Sequence, residues 1–357
     1  MANSHSLFQN YNSAIKLPDI EREKLKQARN SLRERMKLAY LNLPEEDKKT
    51  SSIEFQSQGS FVMDTIIRPH ESDFDLDDGV YFQGNLTEEQ RSDTQIFHDL
   101  IIKAIDKNNG IEEIVDKPTC VRVKYDKEYD DINLGFHIDL PIYYAEKLET
   151  PELAHTKEGW VESSPVEFIA WFEEKTKSGF EKAFLFESLK YAEPYKKWLS
   201  DIRKRDCQLR RIVRYLKSWA DLKRKEMPCG IIMSILAANN YIENARDDIA
   251  LRDTLVGINN DLEENNFTCY RPTPKTGEDL FASTPQTEKN FFKNALESFI
   301  ISANQALNNP NFKESCLKWQ KHLGNRFPCH LAKDEIEGAK TYVAAPIKND
   351  NSRSAQK

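Results

Sequence analysis

The stretch Gly59–Phe82, GSFVMDTIIRPHESDFDLDDGVYF, packs five aspartates and one glutamate into 24 residues. Asp73, Asp75 and Asp77 alternate with Phe74 and Leu76. Period-two alternation is the pattern of a strand, so the three carboxylates leave one face and the apolar side chains the other. Like charges on one strand face repel, and a cation is the simplest way to offset that cost. Mg²⁺ takes hard oxygen ligands, commonly one or two carboxylates with water and substrate phosphates. A D-x-D strand built on Asp75 and Asp77 therefore points to a metal held for phosphate chemistry. Just upstream, Gln58-Gly59-Ser60 reads as a turn opening a short helix. Its backbone N–H groups, hydroxyl and positive helix end suit a phosphate.

A third carboxylate would complete a site for two ions about 4 Å apart. Asp139 in FHIDLPIYY is the candidate, since an aspartate flanked by Ile138 and Leu140 in a core strand needs a partner. A second reading stays open, in which Asp139 caps a turn or pairs with an arginine such as Arg122. His137 would share the Asp139 face in a regular strand.

The remaining chain limits what this site can serve. Its 357 residues suffice for two domains, and 39% apolar with 31% charged residues is a globular balance. The formal net charge of −7 argues against a generic nucleic-acid binder, so any polyanion site must be a local basic patch. Such a patch exists: residues 203–226 carry ten Lys and Arg against Asp206, Asp221 and Glu226. Arg210, Arg214 and Lys217 share one helical face by i, i+4, i+7 spacing.

Cys120, Cys207, Cys229, Cys269, Cys316 and Cys329 form no C-x-x-C and read as reduced thiols of a cytoplasmic protein. Cys316, His322, Cys329 and His330 fit no standard zinc spacing. The N-terminus lacks a signal-peptide core, and no run approaches 18 apolar residues, so no membrane span is expected.

The pattern predicts a flexible segment over 1–18 and a long helix from Ile20 to Leu43. Strands are expected at Ile53–Gln56, Phe74–Phe82, Thr119–Tyr125 and Phe136–Tyr144, the last two as a hairpin. The capping pattern Thr87-Glu-Glu-Gln opens an expected helix over Thr87–Lys107. From Pro165 the pattern is helical to about Lys333, and the last residues, 338–357, read as a disordered tail.

Together, QGSF, DFDLDDG and HIDLPIYY resemble the polymerase-β superfamily of nucleotidyltransferases. They are most similar to the bacterial cGAS/DncV-like nucleotidyltransferases of the cyclic GMP-AMP synthase clade. QLRRIVRYLKSWAD followed by MPCGIIMSILAANNY is similar to that family's second-domain helices.

The resemblance implies an α+β architecture: a polymerase-β-like palm over 19–164, a helical nucleotide-binding domain over 165–337, and an active site in the cleft between. It implies two Mg²⁺ or Mn²⁺ ions on Asp75, Asp77 and Asp139, with Asp139 as a base candidate. Gln58, Gly59, Ser60 and Lys217 would contact nucleotide; so, more remotely, would Cys229, Glu278 and Asp279. Tyr81, Tyr143 and Tyr241 are stacking candidates by position. The implied activity is synthesis of a cyclic di- or trinucleotide messenger from NTPs, ATP and GTP foremost, in antiphage (CBASS) signalling. No DNA activator is expected, and a regulatory protein acting on the C-terminal tail is compatible. The competing readings are a nucleotidyltransferase that extends RNA or makes linear products, and a catalytically silent NTP-binding relative.

Overall fold

The computed structural model describes residues 2–70, 73–105, 110–126, 135–146, 150–176, 206–223, 226–274 and 277–333. The expected tail, 338–357, and most of the loop of the expected hairpin lie outside the described residues.

Strand β2 (Phe74–Gln83) forms the spine of an eight-stranded sheet. On it lie β1 (Ile53–Ser57), antiparallel, and β5 (Phe136–Leu140) and β6 (Ile142–Ala145), both parallel. β5 and β6 keep one register along β2, with Asp77 opposite Asp139 and Val80 opposite Ile142. The run expected as one strand is thus split only at Pro141, which has no N–H to give the ladder. β3 (Ile111–Lys117) and β4 (Cys120–Tyr125) continue the sheet beyond β5, and β7 (Glu152–His155) and β8 (Gly159–Glu162) extend it beyond β6.

α1 is His5–Ile15, α2 is Asp19–Leu41, α3 is the single turn Gly59–Val62 and α4 is Gln95–Ala104. Of these, α2 and α4 lie on the sheet. Leu25, Ala28, Leu32, Met36 and Tyr40 of α2 are buried against the sheet core with Phe55, Phe74, Leu76 and Ile138. The helix expected from Thr87 begins instead at Gln95. The capping contacts do form, Thr87 N donating to Gln90 Oε1 and Gln90 N to Thr87 Oγ1, but they close an isolated turn.

The second half is helical. It comprises α5 (Pro165–Lys175), α6 (Gln208–Lys223), α7 (Gly230–Asn240), α8 (Asp247–Glu264), α9 (Gln286–Asn308) and α10 (Phe312–Leu323). Its core is built on Trp219, Phe299 and Trp319.

The segment expected to be flexible corrects the sequence reading. α1 buries Leu7, Phe8, Tyr11 and Ile15 in the helical core, and Tyr11 Oη bonds Ser218 Oγ at 2.8 Å. The spacing 7, 8, 11, 15 is a helix stripe that the polar residues around it hide. The first segment of the chain therefore packs with the second half of the molecule.

The cysteines bring a second correction. Cys316 and Cys329 are joined as a disulfide, and Cys120, Cys207, Cys229 and Cys269 are free. Pro328 and a 3-10 turn at Cys329–Leu331 fold the chain back onto α10, bringing the two Cα atoms to 5.5 Å. The zinc arrangement does not form: His322 is buried, stacks on Phe299 at 4.5 Å and bonds Ser302 Oγ at 2.8 Å.

His322 gives the fold a pH dependence. Burial, with Lys321 and Lys223 nearby, pushes its pKa from the usual 6.5 down to about 4. Between those values the unfolded chain binds a proton that the folded chain refuses. Stability is therefore fully present above about pH 6.5, falls as pH drops toward 4, and loses no more from this group below that. The expected loss is about 1–3 kcal/mol. Denaturant midpoints from pH 7 to 4 should fall less steeply for His322→Gln than for the unaltered chain.

Candidate active site

The parallel register of β2 and β5 sets Asp75 beside His137 and Asp77 beside Asp139, all on one sheet face. The antiparallel register of β4 brings Arg122 beside Asp139. Arg122 grips Asp139 with both arms, Nε to Oδ1 at 2.6 Å and Nη2 to Oδ2 at 2.7 Å, and lies 3.8 Å from Asp75. Lys117 Nζ is 3.6 Å from Asp139 Oδ2, and His137 Nε2 is 2.9 Å from Asp75 Oδ1. The open alternative for Asp139, pairing with Arg122, is thus realised on the same face as the D-x-D pair.

The electrostatics show an unfinished balance. For Asp75, burial alone would raise the pKa, but the His137 contact and the charges of His137, Arg122 and Lys217 outweigh it and hold the carboxyl low. Asp77 goes the other way. Burial, then the charges of Asp75 and Asp139, push it well above the usual carboxylate range. A face that cannot keep all its carboxylates ionised is one that a divalent cation would complete. The donors fit one: ligand atoms of Asp75, His137 and Asp139 all lie within 4.8 Å of one another. Asp77 adds a further oxygen from the same face. Asp139, with both oxygens already on Arg122, would have to share itself with any second ion.

The other expected residues meet this face across a cavity of about 370 Å³ between sheet and helical half. Gln58, Gly59, Ser60, Lys217 and Cys229 line it together with Asp75 and Asp77. Gly59 has φ +66°, and a Cβ there would stand 2.0 Å from Asp77 Oδ2. Only glycine lets the turn lie this close to the acidic strand. Lys217 reaches in from α6, where burial lowers its pKa to about 8 against the opposing pull of Asp75 and Asp77. Its neighbour Gly230 would bring a Cβ within 3.1 Å of Lys217 Cε. Cys229 sits at the N-cap of α7 without a side-chain capping bond.

Glu278 and Asp279 do not line the cavity. Glu278 pairs with Arg271, which does, and Asp279 accepts from the Cys269 and Phe281 amides to shape its own turn. Tyr143 lines the cavity and stacks on the buried Tyr81 at 4.8 Å, with Gln58 Nε2 donating to its Oη at 3.1 Å. Tyr241 bonds Gln208 and lies outside the lining. Asp78 sits mid-strand and pairs with Arg33 of α2.

Arg271, Thr273 and Lys117 at or near the site were not named from sequence, and Arg122 was named only as an alternative partner for Asp139. Arg122 and Lys117 carried a usable signal, cations in a strand bordering an acidic one. Arg271 and Thr273 carried none.

A short helix-opening glycine turn, an acidic parallel-strand pair and a lysine from the helical half thus face one cavity. Residues 53–143 match the family model described as cyclic GMP-AMP synthase DncV-like, nucleotidyltransferase domain. Residues 53–143 are thus similar to the nucleotidyltransferase domain of the DncV-like cyclic GMP-AMP synthases.

Among curated proteins, a cyclic GMP-AMP synthase of Escherichia albertii is 22% identical over 82% of this chain. The chain spans 59% of that relative's length. One of Escherichia coli is 25% identical over 91% of this chain and 80% of its own. Among solved structures, Vibrio cholerae DncV cyclic AMP-GMP synthase with nonhydrolyzable GTP superposes with a TM-score of 0.69 at 18% identity, covering 92% of this chain and 97% of that one. The same enzyme with the linear intermediate 5′ pppA(3′,5′)pG gives 0.68 at 19% identity, covering 92% and 98%. At these identities the structural likeness speaks for the fold. Among the described residues no helix is long and apolar enough to cross a membrane.

Proposed function

We propose that the chain joins NTPs into a cyclic oligonucleotide by nucleotidyl transfer. The observation that carries the reading is the single cavity onto which Asp75, Asp77, the Gly59-Ser60 turn and Lys217 all open. The names of the curated relatives, and the nucleotide complexes of the Vibrio structures, support a cyclic dinucleotide as product.

Asp75, Asp77 and Asp139, with His137, would hold divalent cations, Mg²⁺ or Mn²⁺ and two in number. These would lower the pKa of the acceptor hydroxyl and neutralise the leaving phosphates. Gly59, Ser60 and Lys217 orient the triphosphate so that an acceptor ribose hydroxyl attacks the α-phosphorus in line. The new O–P bond forms as the α–β bridging bond breaks, and pyrophosphate leaves. Asp139 was the base candidate, but both of its oxygens already accept from Arg122. The hydroxyl proton passes instead to water in the open cleft. A second attack, after the linear product rebinds in reverse, closes the ring.

The role in antiphage signalling and a regulator of the tail rest on the family resemblance alone; the cytoplasmic setting rests on the cysteine reading, which the Cys316–Cys329 pair weakens. With net charge −7, extension of long RNA has poor support.

The test is incubation with α-³²P NTPs and Mg²⁺ or Mn²⁺, followed by phosphatase and nuclease. A small phosphatase-resistant product is expected. Label only in polymer, or only in unreacted NTP, contradicts the proposal.

A further inference from the structure

The basic face of α6 does something other than line the cavity with three cations. Arg210 Nε donates to the Met63 carbonyl at 3.0 Å, Arg214 Nη1 to the Asp64 carbonyl at 2.6 Å, and Lys217 Nζ to the Thr65 carbonyl at 3.1 Å. Residues at i, i+4 and i+7 of one helix thus hold three successive carbonyls of the segment that leaves the Gly59-Ser60 turn.

That segment is itself folded back on the turn. The Met63 amide donates to Gly59 O, and the Thr65 and Ile66 amides both donate to Ser60 O. A displacement of the three carbonyls therefore moves the backbone that presents Gly59 and Ser60.

The two arginines have no part left for a ligand. Both are buried, at 1% and 0% exposure. Arg210 is engaged with Glu173, and Arg214 with Asn12 and Asp206. Lys217 differs. An ammonium has three donors; Lys217 gives one to the Thr65 carbonyl, and it lines the cavity. Charge-assisted bonds to buried carbonyls are stronger than neutral ones and costly to break.

We propose that Arg210 and Arg214 are positioning residues for the triphosphate. They clamp the segment Met63–Thr65 to α6 and so fix the Gly59-Ser60 turn at working distance from Lys217 and Asp77. Lys217 is the adjustable third member, which shares its donors between Thr65 and an arriving phosphate. The inference rests on the NTP reading of the site.

The test uses Arg214→Lys and Arg210→Lys in the full chain. Lysine keeps the charge beside Asp206 or Glu173 but cannot span carboxylate and carbonyl together as a guanidinium does. Affinities for fluorescent ATP and GTP and for the matching monophosphates are measured beside a melting curve. A folded variant is expected to lose about tenfold or more in triphosphate affinity, with monophosphate affinity within about twofold of the starting value. General loosening of the fold would weaken both ligands alike. A folded variant that keeps the original triphosphate-to-monophosphate ratio overturns the inference. An unaltered chain that shows no preference for triphosphate overturns the NTP reading instead.

Should neither variant fold, amide exchange in the unaltered chain decides. Exchange at Met63, Thr65 and Ile66 is expected to slow with NTP and not with monophosphate. An equal response to both overturns the clamp.

Discussion

Asp75→Asn combined with Asp77→Asn is expected to abolish labelled product from NTPs, a loss of about a thousandfold or more, while the chain remains folded. The expectation follows from where the charges sit. Both side chains leave one face of β2, and Asn keeps their shape while removing the charge that would hold a cation. Metal stabilisation of a phosphoryl transition state is worth several kcal/mol, and each 1.36 kcal/mol is tenfold in rate.

The stability readout separates this from simple damage. Asp77 is held well above the usual carboxylate range by burial and by Asp75 and Asp139. At neutral pH its ionised form is penalised in the fold and not in the unfolded chain. Asp77→Asn alone should therefore raise the melting temperature of the metal-free protein while lowering activity. A parallel fall in both would show that Asp77 serves the fold rather than the chemistry.

Gly59→Ala is expected to cut synthesis about a hundredfold without unfolding the chain. Two costs combine. At φ +66° an L-residue pays about 1–2 kcal/mol for the left-handed conformation, a few degrees of melting temperature. The new Cβ would also stand 2.0 Å from Asp77 Oδ2, so the carboxylate or the turn must move. A shift of about 1 Å in a reacting constellation costs on the order of a hundredfold. Kinetics of the variant at saturating NTP and metal, beside its melting curve, check this. Full activity would mean that the turn and Asp77 do not act together.

Much of this site was legible because it is local. Asp75 and Asp77 share a face by period two, and Gly59-Ser60 lies within the same quoted stretch. Asp139 was legible as an anomaly, a carboxylate between Ile138 and Leu140. Its pairing with Arg122 was one open alternative and not a settled reading, because the partner depends on which strands become neighbours. Register alone brings Arg122 beside it and His137 beside Asp75.

The basic face of α6 shows the limit from another side. Spacing groups Arg210, Arg214 and Lys217 correctly, yet only Lys217 lines the cavity. The difference lies in Glu173, Asn12 and Asp206, which reach the arginines from elsewhere in the chain. α1 was missed because its stripe of four apolar residues is short and set among asparagine and serine.

The central claim is that this cavity makes a closed-ring nucleotide from NTPs. Mass spectrometry of the products formed from all four NTPs with Mg²⁺ or Mn²⁺ tests it most directly. The account predicts a product whose mass equals linked nucleoside monophosphates with no terminal phosphate, absent with Asp75→Asn/Asp77→Asn. Linear chains that keep a 5′ triphosphate as the sole product, or the same ring from the double variant, would contradict it.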